Sequence, residues 1–172
     1  MKKIIALLMV IVCVAGIFPA TAQAAEVPAK VMKAVKRCVD ENGRCIVIDQ
    51  KAEKMYLFKR SCKSGKWELK KVFKCIVTEK LCKTKHYFLH RSDDFELTAW
   101  GTETERWGYG LHIDCYEVPK DIILHSYTER YVGGKWVKDK SRAGNDFGIA
   151  TCEENARYIY RYYKDGTAVM GC

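Results

Sequence analysis

Cys45-Ile-Val-Ile-Asp49, the charged turn Lys51-Ala-Glu-Lys54 and Met55-Tyr-Leu-Phe-Lys59 are the stretch on which the fold turns. A β-branched run closed by a short polar segment and followed by an alternating run reads as two strands joined tightly. Working outward, Lys63-Ser-Gly-Lys66 is a second hairpin signal, and it separates the alternating run from a strand over Trp67 to Thr78. Strand-like pieces follow at Tyr87 to His90, Leu97 to Trp100, Tyr109 to Asp114, Ile122 to Tyr127 and Thr167 to Met170. Short strands at regular spacing favour a sandwich or barrel over a parallel sheet with crossover helices. The expected fold is therefore mainly β, a sandwich of short mixed strands with a leading helix and one C-terminal helix.

The leading helix is expected over Val27 to Asp40, where Val27, Val31, Met32, Val35 and Val39 repeat at helical spacing before Asn42-Gly43 ends the pattern. The second begins at Thr151 or Cys152. Glu153 and Glu154 suit the positive end of the helix dipole, Ala156, Ile159, Tyr160 and Tyr163 form the apolar face, and Asp165-Gly166 closes it. Gly133-Gly134 before Lys135-Trp136 reads as a hairpin tip, because no strand-to-helix context makes it a phosphate loop.

Lys2 and Lys3, an uncharged apolar run from Ile4 to Phe18, and Pro19 followed by Ala20 to Ala25 have the layout of a cleavable secretory leader; a retained anchor is the alternative. Cleavage after Ala25 divides the chain into a leader over 1–25, a helical segment over 26–44 and a β domain over 45–172. Without Lys2 and Lys3 the charge stands at 28 basic against 21 acidic residues, a net of +7. The expected location is outside the cytoplasm, as a secreted, cell-wall or periplasmic protein with no stable membrane span once the leader is removed. A cationic exported domain suits an anionic partner; nucleic acid is excluded on compartment and on the scatter of the basic residues among acids.

Cys13 leaves with the leader. Cys38, Cys45, Cys62, Cys75, Cys82, Cys115, Cys152 and Cys172 remain, an even set that in an exported chain reads first as disulfides of open connectivity. Zinc ligation and a reactive thiol are the competing readings. His112-x-x-Cys115 and the His86/His90 pair lack a second pair at zinc-site spacing. Trp100, Trp107, Tyr109 and Tyr116 lie close to glycines, either as strand faces or as the lining of a glycan or peptide groove.

The C-terminal third resembles the L,D-transpeptidase catalytic domain, whose members cross-link or modify peptidoglycan with a cysteine nucleophile. The likeness lies in Ile122-Ile-Leu-His125-Ser126, in Glu154-Asn-Ala-Arg-Tyr-Ile-Tyr160 and in Asp165-Gly-Thr-Ala-Val169. Cys45 to Asp49 with Met55 to Phe58 looks like the family's opening strand pair, and Cys75-Ile-Val-Thr78 like the strand before its Thr-Pro-x-Gly segment. The family's signature, Ser-His-Gly-Cys followed by Arg or Asn, is not intact in Asn145-Asp-Phe-Gly148-Ile-Ala-Thr-Cys152. Matching Gly148 to the signature glycine puts Ile149 at the nucleophile position. Counting back from the helix without a gap puts Gly148 there, with Cys152 four residues later. Thr84-Lys-His-Tyr-Phe88 likewise lacks the family's proline and glycine.

The resemblance implies an exported peptidoglycan-modifying protein, without cofactor or metal, that performs thiol-based acyl transfer on stem peptides. Cys152 at a helix start would be the nucleophile, His125 the base, and Ser126 the residue completing the His-Ser element. The implied partners are peptidoglycan stem peptides or another anionic wall polymer. The alternative is an inactive, disulfide-stapled domain that binds the wall or another exported partner.

Overall fold

The computed structural model describes residues 26–39, 42–91, 100–101, 105–139 and 148–172. The leader expected over 1–25 and residues 97–99 of the strand expected over Leu97 to Trp100 lie outside them.

The opening strands carry the architecture. β1 (Arg44–Asp49) and β2 (Lys54–Arg60) pair antiparallel, with Ile46 opposite Leu57 and Ile48 opposite Met55. Both faces of this pair are covered, so the run from Met55, expected to alternate, instead buries four successive apolar residues, Met55 to Phe58. Ile46, Ile48, Met55 and Leu57 enter the main core with Leu111, Ile113, Ile122 and Leu124. On the other face Cys45, Val47, Tyr56 and Phe58 meet Val31, Ala34 and Val35 of α1 (Ala29–Lys36).

β3 (Trp67–Lys74) pairs with β2 and forms one edge of a nine-stranded mixed sheet. β4 (Ile76–Val77), β5 (Tyr87–His90), β8 (Leu111–Cys115), β9 (Val118–Ser126), β12 (Gly148–Thr151) and β13 (Ala168–Gly171) complete it, in the order β3-β2-β1-β13-β5-β8-β9-β12-β4. β13 inserts beside β1 and β12 beside β9, both in parallel. The other pairings of the sheet are antiparallel. A mainly β fold with a leading and a C-terminal helix is thus what the chain adopts, with parallel pairs arising where late strands join earlier ones.

A four-stranded sheet, β11-β10-β7-β6, is built from β6 (Trp100–Gly101), β7 (Glu105–Trp107), β10 (Glu129–Val132) and β11 (Lys135–Lys138). Gly133 and Gly134 turn its hairpin at φ 57° and 80°. Two consecutive positive φ values define the tight turn whose twist matches the strands. Between β12 and β13 runs α2 (Glu153–Tyr162), whose Ala156 and Ile159 pack on the main core.

Candidate active-site cleft

A cleft of about 870 Å3 opens where β3, the four-stranded sheet and the start of α2 converge. Phe73 and Lys74 line one side, Arg106, Glu129 and Lys138 another, and Ser126, Tyr127, Cys152 and Asn155 the base. Four of its charges are paired. Arg106 Nε donates to Glu129 Oε2 at 2.7 Å and stacks over the Trp136 ring at 4.2 Å, while Lys138 Nζ lies 3.5 Å from Glu153. The cleft therefore presents both signs of charge beside aromatic surface.

Thr151 organises the base. Its hydroxyl donates to the Lys74 carbonyl at 2.7 Å and accepts from Asn155 Nδ2 at 3.2 Å, and its carbonyl accepts from the Tyr127 amide at 2.7 Å. One buried threonine thus fixes the edge of β3, the start of α2 and the end of β9 around Cys152. Burial pushes the Tyr127 phenol above its ordinary value, so it remains a neutral hydrogen-bonding group at physiological pH. Cys152 is the N-cap of α2, extended at φ −66° and ψ 155°, with its carbonyl accepting from Ala156 N at 3.0 Å. Glu153 and Glu154 stand next to it in the first turn.

The structure brings Cys152 and Ser126 to the same cleft but sets His125 apart. Ser126 joins the sheets: its Oγ accepts from Gly108 N at 2.8 Å, and its amide donates to the Gly108 carbonyl at 2.9 Å. His125, only 3 % exposed, is not among the described residues lining the cleft. Its Nδ1 lies 2.5 Å from the Ser126 carbonyl. A carbonyl only accepts, so Nδ1 carries the proton, and the other ring nitrogen is Nε2. That nitrogen faces Gly148: a Cβ built there would stand 2.6 Å from it. Ile149 points into the core beside Leu124. From Gly148 to Cys152 the chain is extended, and four residues at about 3.3 Å each carry the Cys152 backbone about 13 Å along the strand from Gly148.

Thr78 holds Gly148 in place. Its hydroxyl donates to the Gly148 carbonyl at 3.0 Å and lies 3.3 Å from the Gly148 amide, and its own amide donates to the same carbonyl at 3.2 Å. No local pattern in the sequence marks Arg106, Glu129, Lys138 or Asn155 for the cleft. Arg106 and Glu129 meet because β7 and β10 pair in that register.

Among the described residues no disulfide joins the eight cysteines from Cys38 to Cys172. Cys45, Cys75 and Cys115 are buried at separate points of the sheet, and burial pushes the Cys75 thiol up to about 12. Among the described residues no three His, Cys, Asp or Glu side chains are arranged to hold a metal ion.

No family model matches the chain, and no curated protein matches it. Its fold is similar to that of a solved structure from Clostridium acetobutylicum, described as a fused Zn-dependent amidase/peptidase/peptidoglycan-binding domain-containing protein. That likeness has a TM-score of 0.60 and 17 % identity over 84 % of this chain and 58 % of the other. A second likeness is to Bd1075 of Bdellovibrio bacteriovorus, with a TM-score of 0.49 and 12 % identity over 77 % and 50 %. The match spans 58 % of the first protein's length and 50 % of the second's. The likeness establishes a shared mainly β fold with a protein whose name includes a peptidoglycan-binding domain.

Proposed function

We propose that this is an exported cell-wall protein whose cleft binds peptidoglycan stem peptides without turning them over, on a fold resembling the L,D-transpeptidase catalytic domain. The observation that carries the reading is that the residue His125 Nε2 is turned toward is Gly148. The base is oriented, and the residue it faces has no side chain to deprotonate. The cleft itself remains suited to a ligand with both ammonium and carboxylate groups, because Arg106–Glu129 and Lys138–Glu153 supply both signs beside Phe73 and Trp136. The wall theme is supported by the sequence resemblance and by the fold shared with a protein named for peptidoglycan binding.

A second reading, thiol acyl transfer, is favoured by one observation: Cys152 caps α2 and lines the same cleft as Ser126. It requires His125 to reorient from Gly148 toward the helix start, so that the imidazole takes the thiol proton while the sulfur attacks the peptide carbonyl, and then returns that proton to the amine that leaves as the C–N bond breaks and the thioester forms.

Titration with a soluble disaccharide–tetrapeptide tests the binding reading. Saturable binding, weakened about tenfold or more in Arg106→Ala and unchanged in the distant Lys51→Ala, is expected. Equal affinity in wild type and Arg106→Ala would remove the cleft as the site.

A further inference from the structure

Beside the cleft, and sharing Tyr109 with it, lies a pocket of about 540 Å3 whose described lining is three arginines and two tyrosines: Arg91, Arg157, Arg161, Tyr109 and Tyr160. Each ring is already engaged by a guanidinium. Arg91 stacks over Tyr160 at 4.4 Å and also donates to the Tyr160 carbonyl. Arg157 lies over Tyr109 at 5.3 Å, and its Nε donates to the Tyr109 hydroxyl at 2.8 Å. Tyr109 and Tyr160 meet edge to face at 6.1 Å.

The cluster is costly without a ligand. Arg157 and Arg161 are like charges one helical turn apart, an arrangement that destabilises a helix. Tyr109 sits at φ 56°, a region a bulky side chain rarely occupies and that persists where the surroundings enforce it. Arg91 Nε is buried with no hydrogen-bond partner. Of the three guanidiniums only Arg157 has a carboxylate partner among the described residues, Glu153 at 3.0 Å.

We infer that this pocket binds successive phosphate groups of a phosphodiester polymer. Guanidinium forks recognise oxyanions, and here they approach from the end of β5 and from α2, directions that a tetrahedral phosphate accepts better than a planar carboxylate. The stems of Arg157 and Arg161 are about 6 Å apart along the helix, a spacing for consecutive charges on one chain rather than for a single ion. The tyrosine rings hold the guanidiniums over the pocket by stacking. This site is independent of stem-peptide binding in the adjoining cleft.

The test measures binding of poly(glycerol phosphate) to the full chain at fixed ionic strength. Arg157→Gln/Arg161→Gln is compared with the charge-matched control Lys51→Gln/Lys54→Gln, and all proteins are checked for an unchanged melting temperature. A third variant, Arg91→Gln, tests the site from the strand side, away from the helix. The expected result is saturable binding weakened about tenfold or more by either pocket variant and within about twofold of wild type in the control. Equal losses in the control would reduce the effect to net charge and overturn the inference. So would polygalacturonate binding as tightly as the phosphate polymer, or binding to anionic phospholipid vesicles but not to the polymer. Stem-peptide titration of the same variants keeps a failure here distinct from a failure of the cleft reading.

Discussion

Adding a single methyl group at Gly148 probes the heart of the account. A Cβ there would meet His125 Nε2 at 2.6 Å, the Ile123 carbonyl at 2.9 Å and His125 Cδ2 at 3.1 Å. The imidazole can swing, but the Ile123 carbonyl belongs to β9, paired in parallel with Gly148 itself, and cannot retreat without disturbing the ladder. Overpacking of this kind costs about 1–3 kcal/mol, and Gly→Ala returns about 0.4–1 kcal/mol by restricting the unfolded chain. The net expectation for Gly148→Ala is about 1.5 kcal/mol of destabilisation. For a chain of this size that lowers the melting temperature by about 3–6 °C. Calorimetry on Gly148→Ala, His125→Ala and the double variant separates the two contacts. Removing the imidazole should recover part of the loss, with a coupling of about 1 kcal/mol, while the Ile123 carbonyl keeps the remainder. A Gly148→Ala protein as stable as wild type, or additive single effects, would refute the placement of His125 over Gly148.

Three further outcomes are expected, two from the structure and one from the sequence. Asp49 is 2 % exposed; burial raises its pKa, but hydrogen bonds from Lys30 at 2.6 Å and Ala52 N at 3.0 Å outweigh it and hold the carboxyl below its ordinary range. Its folded pKa being depressed, its contribution is complete above the unfolded pKa of about 3.9 and is lost as pH falls through the folded value. Asp49→Ala should cost about 2 kcal/mol at pH 7 and progressively less below pH 4, read from denaturant midpoints against pH. Hydrogen bonding from Thr84 lowers the Cys82 thiol and burial raises that of Cys75, so mass-resolved alkylation of the native reduced protein at pH 7.5 should label Cys82 early and Cys75 only on unfolding. Thr84→Ala should slow the Cys82 reaction, and equal rates would count against that hydrogen bond. N-terminal sequencing of protein recovered from outside the cell should begin at or near Glu26, whereas an intact Met1 on a cytosolic protein would end the export reading.

The strand pattern was legible because β1, β2 and β5 are local, strongly apolar runs whose ends coincide with turns. The first helix is shorter than its apolar period suggested. It closes at Arg37, whose amide donates to the Ala34 carbonyl at 3.0 Å, leaving Val39 57 % exposed beyond the end. The strand expected as one piece over Trp67 to Thr78 divides at Cys75, whose amide turns to the Glu53 carbonyl at 2.9 Å, and β4 then pairs with β12. β12 itself has no readable period. Its four residues are all buried, and only pairing with β9 and β4 makes them a strand. That pairing decides the site, because it puts Gly148 under His125 and carries Cys152 to the helix start. The charged walls of the cleft come from residues far apart in sequence, Arg106 with Glu129 and Lys138 with Glu153, which no local spacing could have joined.

The central claim, a stem-peptide cleft without turnover, is tested most directly by incubating the mature protein with disaccharide–tetrapeptide stems and an acceptor amine, then resolving the muropeptides by mass spectrometry. The stems should be retained by the protein and recovered unchanged, with identical product profiles for wild type, His125→Ala and Cys152→Ala. A cross-linked or trimmed stem that forms with wild type and disappears in Cys152→Ala would contradict it.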